Sequence, residues 1–107
     1  MATLFRIQTT GISFDEMREH RSTHEMPEYE ENDYQLDGLA CADSVSALRY
    51  YAGAWMVGDT SGYEIVIFRG HIIERIYDGV VAEPFEEIAR VSVDQFFEDD
   101  SVYEYED

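Results

Sequence analysis

The chain has 107 residues, with 24 Asp and Glu against 7 Arg and no Lys, for a formal net charge of -17. That charge argues against direct binding of nucleic acid or of an anionic membrane, and 45% apolar content argues against wholesale disorder. No apolar run approaches the ~20 residues of a membrane span, no charged-then-apolar leader opens the chain, and a single cysteine, Cys41, excludes an intrachain disulfide. The expectation is one soluble, intracellular domain over residues 1–107.

In chain order, residues 2–9 alternate well enough for a strand, and Leu4, Phe5 and Ile7 cannot share one face, so the strand is expected to be buried on both. Gly11 ends it. Ser13 and Glu16 form a capping-box pattern that starts a helix running to about Thr23, with Phe14 and Met17 as its apolar stripe and Pro27 closing it. Residues 28–37 read as an acidic loop spotted with tyrosine, and 38–42 as a short buried strand. Asp43 or Ser44 then caps a helix whose apolar positions, Val45, Leu48, Tyr51, Ala52 and Trp55, recur at helical spacing.

Residues 58–62 form a loop, and 63–68 are the strongest strand, nearly continuous in apolar content. Arg69-Gly70 reads as a turn into an antiparallel partner over 71–77, and Asp78-Gly79 as a second hairpin signal. Two further strand segments follow, 80–83 and 87–91, separated by Pro84. Ser92 caps a last short helix from Val93 to Glu98, and 98–107 form an acidic tail. The sum is a small α+β domain with a mostly antiparallel sheet and two or three helices.

Charge is unevenly placed. Nine of the acids lie between Asp15 and Asp37 and seven lie in the final fourteen residues, as a discrete anionic face requires. In both segments carboxylates alternate with rigid rings. Glu28, Tyr29, Glu30, Glu31, Asp33, Tyr34 and Asp37 are the candidate partner contacts in the loop, and Glu98, Asp99, Asp100, Tyr103 and Tyr105 those in the tail. Tyrosine is a favoured interface anchor. A solvated face and a frayed terminus would have the same texture.

Catalytic and metal signals are thin. His20 and His24 stand i,i+4 on the first expected helix but lack the His-Glu-x-x-His order, with Arg18 and Arg21 adding repulsive charge beside them. His71 reads as structural. The loop between Gly58 and Gly62 has no lysine for a phosphate, and no nucleophile elbow or Cys/His cluster is present. Cys41 sits among small apolar residues and reads as a buried, inert thiol. No metal and no cofactor is expected.

Seventeen charges match roughly 29 Å of duplex DNA at one charge per ~1.7 Å, about the diameter of a domain whose radius of gyration is about 13 Å. In small size, extreme acidity, aromatics among the acids and absence of a catalytic signature, the whole chain resembles the acidic DNA-mimic inhibitors of phages, including anti-CRISPR and anti-restriction proteins. This similarity is compositional. It implies a non-enzymatic partner for a basic nucleic-acid-binding protein or complex of host defence, acting in the host cytoplasm. A second resemblance rests on residue order: Arg6 on an early strand, Ser44 at a helix start, Tyr50 and Tyr51 on that helix, and Glu83 on a late strand. Over residues 3–96 this order is similar to small ADP-ribosyltransferase-like domains. That implies an NAD phosphate on Arg6, support from Ser44 and an acid at Glu83. A third reading is an ordinary acidic domain from a salt-loving cell.

Overall fold

Each element starts where a side chain or a glycine satisfies the local backbone. The structure, a computed structural model, describes residues 1–19, 22–25, 35–55, 60–76 and 79–106, with backbone alone at 22–25, 35–37 and 54–55. Strand β1 (Ala2–Thr9) ends at Gly11, whose φ of 91° lies in the left-handed region that glycine tolerates. Helix α1 (Phe14–Glu19) begins with Ser13 Oγ accepting from the Glu16 amide at 3.1 Å and donating to the Glu16 carboxylate at 3.3 Å. Helix α2 (Val45–Trp55) is capped by Ser44, whose Oγ accepts from the Ala47 amide at 3.0 Å. Asp43, the other candidate cap, pairs instead with Arg75 at 2.6 Å.

Among the described residues the sheet has five strands, and their pairings are all antiparallel. Besides β1 it contains β2 (Ser22–Glu25), β3 (Gln35–Cys41), β4 (Tyr63–Ile76) and β5 (Gly79–Ser92), in the order β1-β4-β5-β3-β2. The α+β class with an antiparallel sheet is as the sequence indicates, and three α-helices and one 3-10 helix accompany it among the described residues.

Four boundaries differ from expectation. The first helix stops at Glu19 and residues 22–25 form a strand, so His24 is paired with Leu36 rather than placed on a helix. The acidic loop is shorter than 28–37, because its last three residues belong to β3 and Asp37 pairs with Thr23. Arg69-Gly70 is not a turn. Strand β4 runs through it for 14 residues, with Gly70 opposite Pro84. A Cβ on Gly70 would lie 2.6 Å from the Glu83 carbonyl oxygen, so glycine here serves close strand approach and not chain reversal. Pro84 likewise does not split β5, because a bulge directly after it absorbs the lost donor.

Helices cover the sheet on two sides. Phe5, Ile65, Ile67 and Val91 pack with Val45 and Leu48 of α2 and with the C-terminal segment. Leu4, Val66, Phe68, Leu39, Val80 and Ala82 pack with Met17 of α1. Phe14 tilts onto Phe68, with ring centroids 6.0 Å apart. Neighbouring Leu4 and Phe5 are thus both fully buried on opposite faces, as the pattern of β1 requires. Past the end of β3, Ala42 exchanges two 2.9 Å backbone hydrogen bonds with Phe5. That single bridge curls β3 back onto β1, although the two strands are not neighbours in the sheet order.

Candidate functional site

Six of the residues assigned from the sequence, Glu28, Tyr29, Glu30, Glu31, Asp33 and Tyr34, lie outside the described residues, and Asp37 is placed by its backbone on β3. The remaining five, Glu98, Asp99, Asp100, Tyr103 and Tyr105, fall together in the C-terminal segment. That segment is not a frayed tail. Helix α3 (Val93–Glu98) leads into a 3-10 helix (Asp100–Tyr105), and both are packed.

Helix α3 forms because Ser92 accepts from the Gln95 amide, while Val93 and Phe96 fall on its buried side. Asp99 then caps the 3-10 helix by accepting from the Ser101 amide at 2.9 Å. Hydrogen bonds from Ser101 to its carboxylate hold Asp99 below the usual range. Val102 is the only residue of the 3-10 helix that is fully buried, and burying a valine contributes about 1.5–3 kcal/mol. Glu106 closes the segment: its carboxylate accepts from the Val45 amide at the start of α2, where the helix dipole favours an anion.

Arg49 of α2 ties these pieces together. Its Nε donates to the Phe96 carbonyl at 3.0 Å and its Nη1 to Asp100 at 3.2 Å. The guanidinium carbon lies 5.9 Å from the Phe96 ring centroid and 5.0 Å from that of Tyr103. The Tyr103 hydroxyl meets Ser46 Oγ at 3.2 Å. Glu98, Asp99, Asp100 and Glu104 are exposed around this anchor. The segment thus presents carboxylates on a fixed scaffold, with one edge of Tyr103 open to solvent.

A second feature was not legible in the sequence. The long β4–β5 hairpin has three register shifts, between Ile67 and Phe68, Arg69 and Gly70, and Ile72 and Glu74. The residues left over at these shifts are Ile88, Phe85 and Ile73. All three are exposed, at 40%, 47% and 40%. A bulge re-aims the extra side chain out of the pleat, and here it does so to large apolar groups beside the exposed Glu74, Glu86 and Glu87. Pro84 is the one sequence signal for such a break.

A third feature is a cleft of about 250 Å³ where β1 and β3 part beyond the Phe5–Ala42 bridge. Arg6 spans it. Its Nη1 donates to the Ala40 carbonyl, and its Nε donates to Gln8 Oε1 at 3.0 Å. Burial pulls the Arg6 pKa down. Burial also pushes the Cys41 thiol up to about 12, and Cys41 Sγ donates to the Leu39 carbonyl. Of the residues grouped by the NAD-enzyme resemblance, Arg6 and Tyr51 line this cleft, whereas Ser44, Tyr50 and Glu83 do not. Arg6 stands opposite Val66 and Glu83 opposite His71, five positions further along β4, roughly 16 Å at ~3.3 Å per residue. Among the described residues no three His, Cys, Asp or Glu side chains gather in a geometry that could hold a metal, and no helix is long and apolar enough to cross a membrane.

The chain matches no protein-family model, no curated protein and no solved structure.

Proposed function

We propose that this chain is a non-enzymatic acidic binding protein that takes the place of nucleic acid in the basic groove of a nucleic-acid-binding protein, such as a defence complex in the cytoplasm of a host cell. The observation that carries this reading is the C-terminal face. Glu98, Asp99, Asp100 and Glu104 are exposed on helices anchored by Phe96, Val102 and the Arg49 contacts. A scaffold ordered in advance loses little freedom on binding, so more of its electrostatic attraction survives as affinity. Tyr103 among the acids, and Phe85 and Ile88 on the hairpin, offer apolar contact that a purely acidic surface lacks. The loop residues Glu28, Tyr29, Glu30, Glu31, Asp33 and Tyr34 would extend the same surface chemistry.

The test has two stages. Immobilised protein should capture, from a host extract, a nucleic-acid-binding protein that added DNA or RNA displaces. Binding should weaken steeply between low and moderate salt, since exposed charges are screened beyond ~10 Å at 0.1 M. Changing Glu98 and Glu104 to Gln should then slow association, as expected of charges that steer an encounter. The same is expected of a Gln/Asn exchange at Glu28, Glu30, Glu31 and Asp33. Capture that ignores both salt and competing nucleic acid would eliminate the mimic reading.

A further inference from the structure

The cleft between β1 and β3 is lined by a cation, Arg6, for which no ion pair is seen among the described residues. Arg49, Arg75 and Arg90 each have a carboxylate within 3.2 Å, at Asp100, Asp43 and Glu64 respectively. Arg6 is half-buried and has no carboxylate partner among the described residues, although the chain carries 24 carboxylates. Its Nε and Nη1 are committed to Gln8 and Ala40. The nearby Cys41 thiol, pushed up to about 12, is neutral at physiological pH and supplies no counter-charge.

A half-buried guanidinium is partly stripped of water, and an anion in the cleft would offset that loss. The walls indicate which anion. Phe5, Ile7, Leu48 and Ile76 are apolar, and Tyr51 and Tyr63 flank the opening. The volume of about 250 Å³ has room for roughly ten non-hydrogen atoms. One guanidinium edge offers a single charged donor site. Elsewhere the protein is strongly negative, so a second negative charge on a ligand would be repelled. A phosphate dianion is therefore disfavoured relative to a monoanion with an apolar body.

We propose that this cleft is a binding site for a small organic monocarboxylate, with one carboxylate oxygen accepting from Arg6 Nη2 and the apolar body lying against Ile7 and Leu48. Gln8, buried beside it, holds the guanidinium in place through Nε. The site is independent of the acidic C-terminal face and does not depend on what that face binds.

Benzoate is the probe. Titrated into the protein at constant ionic strength, with calorimetry and amide NMR shifts as readouts, it should bind saturably, with shifts centred on Arg6, Gln8 and Ala40. Benzamide, of the same shape without the charge, should bind at least tenfold more weakly. Inorganic phosphate and acetate should do the same, the first for its charge and the second for its size. Arg6→Lys should retain part of the affinity and Arg6→Met should lose at least tenfold. Arg6 also stitches the seam, so Arg6→Met could fail to fold. Thr9→Trp, which narrows the cleft at an exposed rim position while leaving Arg6 in place, must then weaken benzoate by a similar factor. No saturable benzoate binding by the parent protein overturns the proposal. So does equal binding of benzamide, or benzoate affinity unchanged in whichever of the two variants folds.

Discussion

Cys41 shows how a single residue takes its chemistry from its neighbours. It lies at the end of β3, half-buried, with its thiol directed to the Leu39 carbonyl. Burial raises its pKa from 9.0 to about 12, against an opposing pull from Arg6. The thiolate is the reactive form, and three units remove it by roughly a thousandfold. Alkylation by iodoacetamide near pH 8 is therefore expected to be about a thousandfold slower than for free cysteine, rising to the free rate on denaturation. A native rate within tenfold of free cysteine would show that the thiol is not in this environment. The inertness of Cys41 was legible from its small apolar neighbours. The charge beside it was not, because Arg6 is 35 positions earlier in the chain and reaches this site through the Phe5–Ala42 bridge and its own bond to the Ala40 carbonyl.

Among the elements, the C-terminal segment departs furthest from expectation. Its acidity suggests a solvated tail, yet the apolar residues Val93, Phe96 and Val102 are buried, and they bring the carboxylates with them. The helix cap at Ser92 and the span Val93–Glu98 could be read directly, since both depend on neighbours in sequence. The 3-10 helix could not, because one buried valine in six residues gives no periodicity. Val102→Ala should destabilise the protein by on the order of 2 kcal/mol, measured by denaturant unfolding. It should also loosen the presentation of Glu104 and Asp100. A loss below about 0.5 kcal/mol, within the range of a surface substitution, would mean that the segment is not part of the core. The same logic separates the two acidic regions: changing exposed carboxylates on α3 tests binding, whereas deleting residues 98–107 also removes core packing. The β4–β5 hairpin was misread for a related reason. Glycine and proline punctuate strands at bulges as well as at turns, and only pairing on both sides of Gly70 distinguishes the two.

At the scale of the whole molecule, net charge and shape act against each other. The longest dimension is 42 Å, so the chain averages one net charge per roughly 2.5 Å of its long axis, against one per ~1.7 Å in duplex DNA. Self-repulsion on that scale opposes the compact state. The described ion pairs relieve it only locally, because only seven arginines are available to 24 carboxylates. Screening should therefore stabilise the free protein: raising NaCl from 0.05 to 0.5 M is expected to lift the melting temperature by roughly 5 °C. The same salt should weaken binding to a basic partner. A melting temperature that stays level or falls would show that packing and the existing ion pairs already offset the repulsion.

Some properties were decided by the chain's residues alone. Capping residues, helical spacing and the apolar run at 63–68 act over a few neighbours, so the α+β class, the antiparallel sheet and the starts of all three helices follow from local rules. The anionic character is likewise a sum over residues and needs no fold. Other properties were decided only by tertiary structure. Which carboxylates stand on a fixed face depends on Arg49 reaching Phe96 and Asp100, 47 and 51 positions away. Which apolar residues are exposed depends on register shifts between β4 and β5, and whether Arg6 finds a counter-ion depends on how β3 curls onto β1. The division has one physical cause. Helix starts and strand type are set by interactions within a few residues, whereas register, burial and charge pairing are set by contacts between segments far apart in the chain.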